Sequence, residues 1–303
     1  MRLVYHSGYD LNLGTHVFPS TKFRMIRDRL VASPLFSEKN ITAPEEATEK
    51  ELLLVHTKGW IDALSYGTLT MQQILKLEIP YSQQMVRGFK RMAGGTILAS
   101  RMALEDGFSA NLGGGFHHAF PSHGEGFCAI HDAAIAVRVL QQEGLIRKAL
   151  FIDCDVHQGN GTAAIFADDP TVLTISLHQY HNYPFEKQQS SIDVNLPDRT
   201  GDDLYLHRLE KIYEQAVRQF RPDFIMYIAG ADPYREDQLG GLDLSMEGLK
   251  QRDRIVLSIA RQRQIPSVIT FAGGYARKLE DTVTIQSNTV ITACELMRSA
   301  HKA

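Results

Sequence analysis

Residues 148–161, KALFIDCDVHQGNG, constrain the fold more than any other stretch of this 303-residue chain. Ala149, Leu150, Phe151 and Ile152 form an apolar run short enough for a buried strand, and charged residues begin abruptly where such a strand ends. Successive side chains of an extended segment alternate faces, so Asp153, Asp155 and His157 project from one side. Two carboxylates and an imidazole thus converge where an open α/β sheet places its ligands, at the carboxyl end of a parallel strand. Adjacent buried carboxylates repel and lose hydration unless a cation or a hydrogen-bond donor offsets them. The trio therefore reads as metal ligands ahead of a structural hydrogen-bonded cluster.

The same punctuation recurs along the chain. Leu3-Val4-Tyr5 and Ile41-Thr42 read as short strands, with helical spacing over 20–31 and a helix start at Pro44-Glu45-Glu46. His56, at the end of LLLVH, reads as a histidine satisfied inside the fold. A long helix over 82–104 precedes the strand Ala110-Asn111-Leu112, which runs into Gly113-Gly114-Gly115-Phe116-His117-His118. Three glycines cost backbone entropy, so the loop needs conformational freedom or close approach. No Gly-Lys-Ser/Thr follows, which excludes a Walker A loop, and the histidine pair points to acid/base work. Helices over 131–143 and 162–167 flank the central stretch. Strands over 172–177, 224–229 and 267–272 each end in polar groups: His178-Gln179-Tyr180-His181, Gly230-Ala231-Asp232 and Gly273-Gly274-Tyr275. With a strand at 193–196 and helices over 202–220, 246–264 and 280–300, the pattern predicts one α/β domain, residues 1–303, with a parallel sheet.

Composition narrows the function classes. A net charge of -3 supplies no field for nucleic acid or anionic membranes, and no run approaches a membrane span. Three cysteines without CxxC spacing argue against a disulfide scaffold and for a reducing compartment. The first residues lack a signal-peptide core, and the chain reads as soluble and cytoplasmic.

In combination and in this order, GGGFHHA, GFC, DxDxH, SLH, a strand ending in Ala-Asp, and GGY resemble the histone deacetylase family. The matching segments run from Gly113 to Tyr275, and the element order suits the arginase/deacetylase fold from Leu3 onward. That resemblance implies an open sheet of about eight parallel strands flanked by helices. It makes Asp155, His157 and Asp232 the metal ligands, which leaves a coordination position open as catalytic zinc requires. Zinc is the default, and the oxygen-rich set also suits Fe(II) or Co(II). His117 and His118 take the general base and acid positions, Asp153 supports His117, and Tyr275 donates to the oxyanion. Phe127 and Tyr183 match the walls of an acyl-lysine channel, and Gly126 the carbonyl that accepts the substrate amide. A structural potassium ion is implied at Asp153, Asp155, His157, Ser176 and Leu177.

There are two departures from the family pattern, of which the Gln158-Gly159-Asn160 run separates this chain from class I members and is similar to class IV and related bacterial amidohydrolases, while the N-terminal loop matches that class only loosely. His157-Gln158-Gly159-Asn160 places Asn160 where a carboxylate would orient the second histidine, which predicts a lower pKa for His118. That loop is His16-Val17-Phe18-Pro19 with Lys22. The implied reaction is metal-assisted hydrolysis of an acyl-lysine in a protein or peptide, of acetyl or longer chain. A small-molecule N-acyl amine such as an acetylpolyamine is the alternative substrate, with Glu125, Glu186 and Asp237 available for an acidic rim that would favour a cationic chain. A non-catalytic binding protein and an arginase-like two-metal hydrolase fit the residues less well.

Overall fold

In the computed structural model, which describes residues 1–299, the apolar runs become eight strands. These are β1 (Arg2–Val4), β2 (Ile41–Thr42), β3 (Phe108–Asn111), β4 (Ala149–Asp153), β5 (Val172–Gln179), β6 (Ile192–Leu196), β7 (Phe224–Ile228) and β8 (Ser267–Thr270). All pair in parallel in the order β2-β1-β3-β8-β7-β4-β5-β6. Both faces of the sheet are covered, which is why the strands read as continuous apolar runs. Along β4, Ala149 and Phe151 join one core with the helices Gln83–Asp106 and Asp132–Gln142. Leu150 and Ile152 join the other, against the helices Asp202–Phe220, Met246–Gln262 and Leu279–Ser299. Residue 300, placed in the last helix by sequence, lies outside the described residues.

The helix expected to start at Pro44 does not form there. Residues 43–48 run irregularly along the long helix, with Ala47 N donating to Lys90 O at 2.9 Å. The first turn begins instead after Thr48, whose hydroxyl and backbone exchange hydrogen bonds with Glu51 in a capping box. Thr57 and Thr70 cap two further helices, Lys58–Tyr66 and Met71–Leu77.

His56 is buried and serves the fold. Its Nδ1 meets Phe120 O at 3.0 Å, and its Nε2 accepts from His131 N at 3.0 Å. His131 in turn caps the helix Asp132–Gln142 through Nδ1, which accepts from Ala134 N. Both imidazoles are therefore held neutral: burial lowers His56 to about 4 and His131 well below its ordinary value. Between that pH and 6.5 the unfolded chain binds a proton that folded His56 does not, so stability falls as pH drops through this window. His56 alone is expected to cost about 2 kcal/mol at pH 5 relative to pH 7. Urea midpoints at the two pH values check this, and a His56→Gln protein with an unchanged pH dependence would refute it.

Candidate active site

Four neighbouring strands, β3, β8, β7 and β4, deliver the polar groups at their carboxyl ends. After β3 the glycine loop wraps a buried carboxylate. Asp132 accepts from Gly115 N at 3.0 Å and Phe116 N at 2.9 Å, and Thr96 Oγ1 donates to it at 2.6 Å. Gly114 and Gly115 hold φ of +76° and +84°, and a Cβ on Gly114 would lie 2.2 Å from Asp132 Oδ2. The loop's glycines thus serve close approach to Asp132, and they aim His117 and His118 inward.

After β4, Asp153, Asp155 and His157 face the site while Cys154 and Val156 enter the opposite core, so the alternation persists beyond the last ladder pair. Asp155, His157 and Asp232 are buried, with ligand atoms within 4.8 Å of one another. Their other atoms are tied to the backbone: Asp155 Oδ2 accepts from Gly273 N at 2.8 Å, Asp155 Oδ1 from His157 N at 2.9 Å, and Asp232 Oδ1 from Val156 N at 2.9 Å. Asp232 Oδ2 is buried without a hydrogen-bond partner. His157 Nδ1 points into the group, 3.0 Å from Asp155 Oδ1 and 3.4 Å from Asp232 Oδ2. Burial and the Asp155 charge push Asp232 up to about 7. An orphaned carboxylate oxygen beside a second carboxylate and an imidazole fits a divalent cation, which would offset that repulsion. Gly273 closes the cradle, since a Cβ there would lie 1.8 Å from Asp232 Oδ2.

The two histidines stand side by side, ring centroids 4.0 Å apart, in opposite electrostatic settings. His117 Nδ1 donates to Asp153 Oδ2 at 2.7 Å, and its Nε2 lies 3.7 Å from Asp155 Oδ1. Burial opposes its charge, but Asp153 and Asp155 outweigh burial and push it up to about 9. His118 Nδ1 lies 2.7 Å from Asn160 Oδ1. Burial first, then the neighbouring His117 and His157, hold His118 well below its ordinary value. Divergent pKa values in adjacent groups are what an acid/base pair requires.

Tyr275 lines the same inner cavity as His117, His118, Asp155 and His157, with Gly126 and Phe127 beside it. Asp237 fixes it by accepting Tyr275 N at 2.6 Å. Phe127 and Tyr183 flank an outer channel with Gly126, Leu239 and Glu78. Tyr183 meets His118 edge-on at 4.9 Å, and Phe127 meets Tyr275 at 5.9 Å. Lys22 is buried behind the site: Nζ donates to Ala272 O at 2.9 Å beside the rings of Phe18, Phe23 and Tyr275, and burial lowers it to about 8. Asp153 and Ser176 are register partners across β4 and β5, with Leu177 next in the strand and Ser176 Oγ 3.0 Å from His178 Nδ1.

The acidic residues weighed for a rim are placed differently from that expectation. Asp237 is buried under Tyr275 and Glu125 is buried against Asn160, each consumed by hydrogen bonds, while Glu186 borders an adjoining outer cavity that shares Glu78 and Tyr183 with the channel. The acid at the channel mouth is Glu78, which sequence reasoning missed. Its φ of +62° ends the helix Met71–Leu77, and its carbonyl lies 2.8 Å from His16 Nε2. Asp132 was missed as well, because nothing local ties it to the glycine loop.

Fold and site define an open-sheet α/β protein whose strand ends gather a buried Asp-His-Asp group and a histidine pair. The histone deacetylase domain matches residues 16–290. An uncharacterized protein of Picosynechococcus sp. is 40% identical over 282 residues, 93% of this chain and 94% of that one. Histone deacetylase 2 of Arabidopsis thaliana is 33% identical over 299 residues, 93% of this chain and 77% of that one. The acetoin utilization protein AcuC of Bacillus subtilis is 29% identical over 281 residues, 86% and 72% of the two chains. The crystal structure of the HDA15 HD domain superposes with a TM-score of 0.82 at 24% identity, covering 97% of this chain and 89% of that one, and shows the shared fold. The chain belongs to the histone deacetylase family, of hydrolytic deacetylases, and has the arginase/deacetylase fold.

Proposed function

We propose that this protein hydrolyses the side-chain amide of an acyl-lysine in a protein or peptide, using a divalent cation held by Asp155, His157 and Asp232. The observation that carries this reading is the orphaned Asp232 oxygen, buried beside Asp155 and His157, which line the blind end of an aromatic-walled channel. Zinc is the first choice, and Fe(II) or Co(II) suits the same donors. The bound cation would supply a Lewis acid that polarises the acyl carbonyl and acidifies water. Phe127 and Tyr183 orient the aliphatic stem, and the Gly126 carbonyl accepts the amide N–H. One histidine takes the proton of the attacking water and the pair returns one to the leaving amine. The Tyr275 hydroxyl, kept protonated by burial and then by the Asp155 charge, donates to the developing oxyanion. Asp153, Ser176 and Leu177 with the backbone of Asp155 and His157 form the potassium site of this reading, at one end of the β4–β5 pair. The buried, unpaired Cys128, Cys154 and Cys294 suit a reducing cytoplasmic setting. Among the described residues no helix is long and apolar enough to cross a membrane.

A small-molecule N-acyl amine is the second reading, favoured by one observation: Glu78 stands at the channel mouth and would attract a cationic chain. Similarity to Histone deacetylase 2 supports the lysine substrate. Turnover of acyl-lysine peptides against acetylpolyamines decides between them, and no turnover of either by metal-loaded protein would end the hydrolase reading. The inner cavity, lined by His117, His118, Asp155, His157 and Tyr275, is small and enclosed, which favours a short acyl chain. Forcing extra methylenes into packed space costs about 1–3 kcal/mol, so acetyl-lysine should exceed myristoyl-lysine in kcat/KM by roughly tenfold or more. Equal rates across the series would show that the inner wall yields.

A further inference from the structure

Asn160 gives His118 a neutral partner, and an amide is two-faced. Its oxygen accepts, its nitrogen donates, and a half-turn exchanges them with almost no change of shape. Which face meets His118 decides which imidazole nitrogen carries the proton. The amide must therefore be held from its far side.

Glu125 stands there. Asn160 Nδ2 donates to Glu125 Oε1 at 2.5 Å, and Glu125 is only 5% exposed. Its second oxygen takes Lys76 Nζ at 2.8 Å and lies 3.3 Å from His123 Nε2. Burial opposes the charge, but His123, Lys76 and Asn160 hold the carboxyl down to about 2. The loop that presents Glu125 is closed by Cys128 N donating to Glu125 O at 2.9 Å, so the side chain stays fixed while Gly126 lines the channel. An ionised carboxylate has no proton to give, so only the NH₂ face of Asn160 can meet it. The oxygen then faces His118, whose Nδ1 must donate, which leaves the Nε2 lone pair for the reaction.

The geometry points to Glu125 as a positioning residue: acting through Asn160, it fixes the amide orientation and with it the His118 tautomer. A carboxylate thereby stands one residue removed from the place where position 160 lacks one. The inference rests on the reading that His118 moves protons in acyl-lysine hydrolysis. A simple loop anchor, the Lys76–Glu125 ion pair alone, would give the same contacts but no influence on His118.

The test exchanges acid and amide in the full-length protein. Asn160→Asp alone sets two carboxylates against each other, and Glu125→Gln alone lets the amide turn either way. Each should lower kcat with KM within about twofold and metal content unchanged, Asn160→Asp by at least about tenfold, well under the roughly 10⁴ of a wholly wrong tautomer in a protease triad. The double variant Glu125→Gln with Asn160→Asp restores an acceptor toward His118 and a donor behind it, so its kcat should return to within about threefold of wild type. Independently of turnover, ¹⁵N spectra of histidine-labelled protein should show His118 protonated at Nδ1 in wild type and shifted toward Nε2–H in Glu125→Ala. A double variant as slow as the product of the singles, or a His118 tautomer unmoved in Glu125→Ala, overturns the inference. Should wild type hydrolyse no acylated substrate, the reading of function fails while the spectra still decide this one.

Discussion

Asp155→Ala protein is expected to contain no stoichiometric divalent metal, whereas Tyr275→Phe protein keeps its metal and loses turnover by on the order of 10²–10³. The two differ because the residues meet the same cavity in different ways. Asp155 is held on both oxygens by Gly273 N and by His157, so its removal deletes a charge and also frees the imidazole and the β8 end that close the cradle. Asp232 and His157 alone leave two donors, too few to hold a cation against water. Tyr275, by contrast, is fixed through its backbone by Asp237, so phenylalanine keeps the loop in place and removes only the hydroxyl. Elemental analysis of both proteins beside acetyl-lysine turnover reads the result. A metal-replete Asp155→Ala protein would reject the ligand assignment, and an active Tyr275→Phe protein would reject the oxyanion role.

The second large effect lies beneath the site. Arg252→Met should reduce the unfolding free energy by about 3–5 kcal/mol, because it breaks a fully buried ion pair and leaves one charge behind. Arg252 reaches Asp253 Oδ1 through Nε at 3.0 Å and Nη2 at 2.9 Å, while Tyr227 OH and Thr289 Oγ1 donate to the same carboxylate at 2.5 and 2.7 Å. Its Nη1 donates to Gly230 O at 2.5 Å, on the turn that carries Asp232. Loss of the guanidinium therefore both strands Asp253 and frees a carbonyl beside the cradle, so metal affinity should fall together with the urea midpoint. Adding Asp253→Asn removes the stranded charge and should recover part of the loss. A single variant within about 1 kcal/mol of wild type would mean that Tyr227 and Thr289 suffice for Asp253.

Much of the fold was legible because its signals are local. The apolar runs at 149–152 and 224–229 read as buried strands, and the structure confirms an eight-stranded parallel sheet in which they are Ala149–Asp153 and Phe224–Ile228. The helices at 49–52 and 71–77 also left a local mark, the Thr48…Glu51 and Thr70…Gln73 capping pairs, of which the misplaced start at Pro44 obscured the first. Motif order pointed to the family, and the match over residues 16–290 bears that out.

What the chain alone determined is how each strand end is aimed: the two-residue period of an extended backbone sends Asp153, Asp155 and His157 one way and Cys154 and Val156 the other, wherever the strand lies. Which strand ends meet was decided only in three dimensions. β3, β4, β7 and β8 follow one order in sequence and lie as β3-β8-β7-β4 in the sheet, so Asp232 reaches Asp155 because β7 pairs with β4. Likewise Glu78, Glu125, Asp132 and Arg252 look like ordinary polar residues until their partners arrive from distant elements. Periodicity records the geometry of a segment with itself, whereas a buried charge acquires its meaning from whatever the folded chain packs against it.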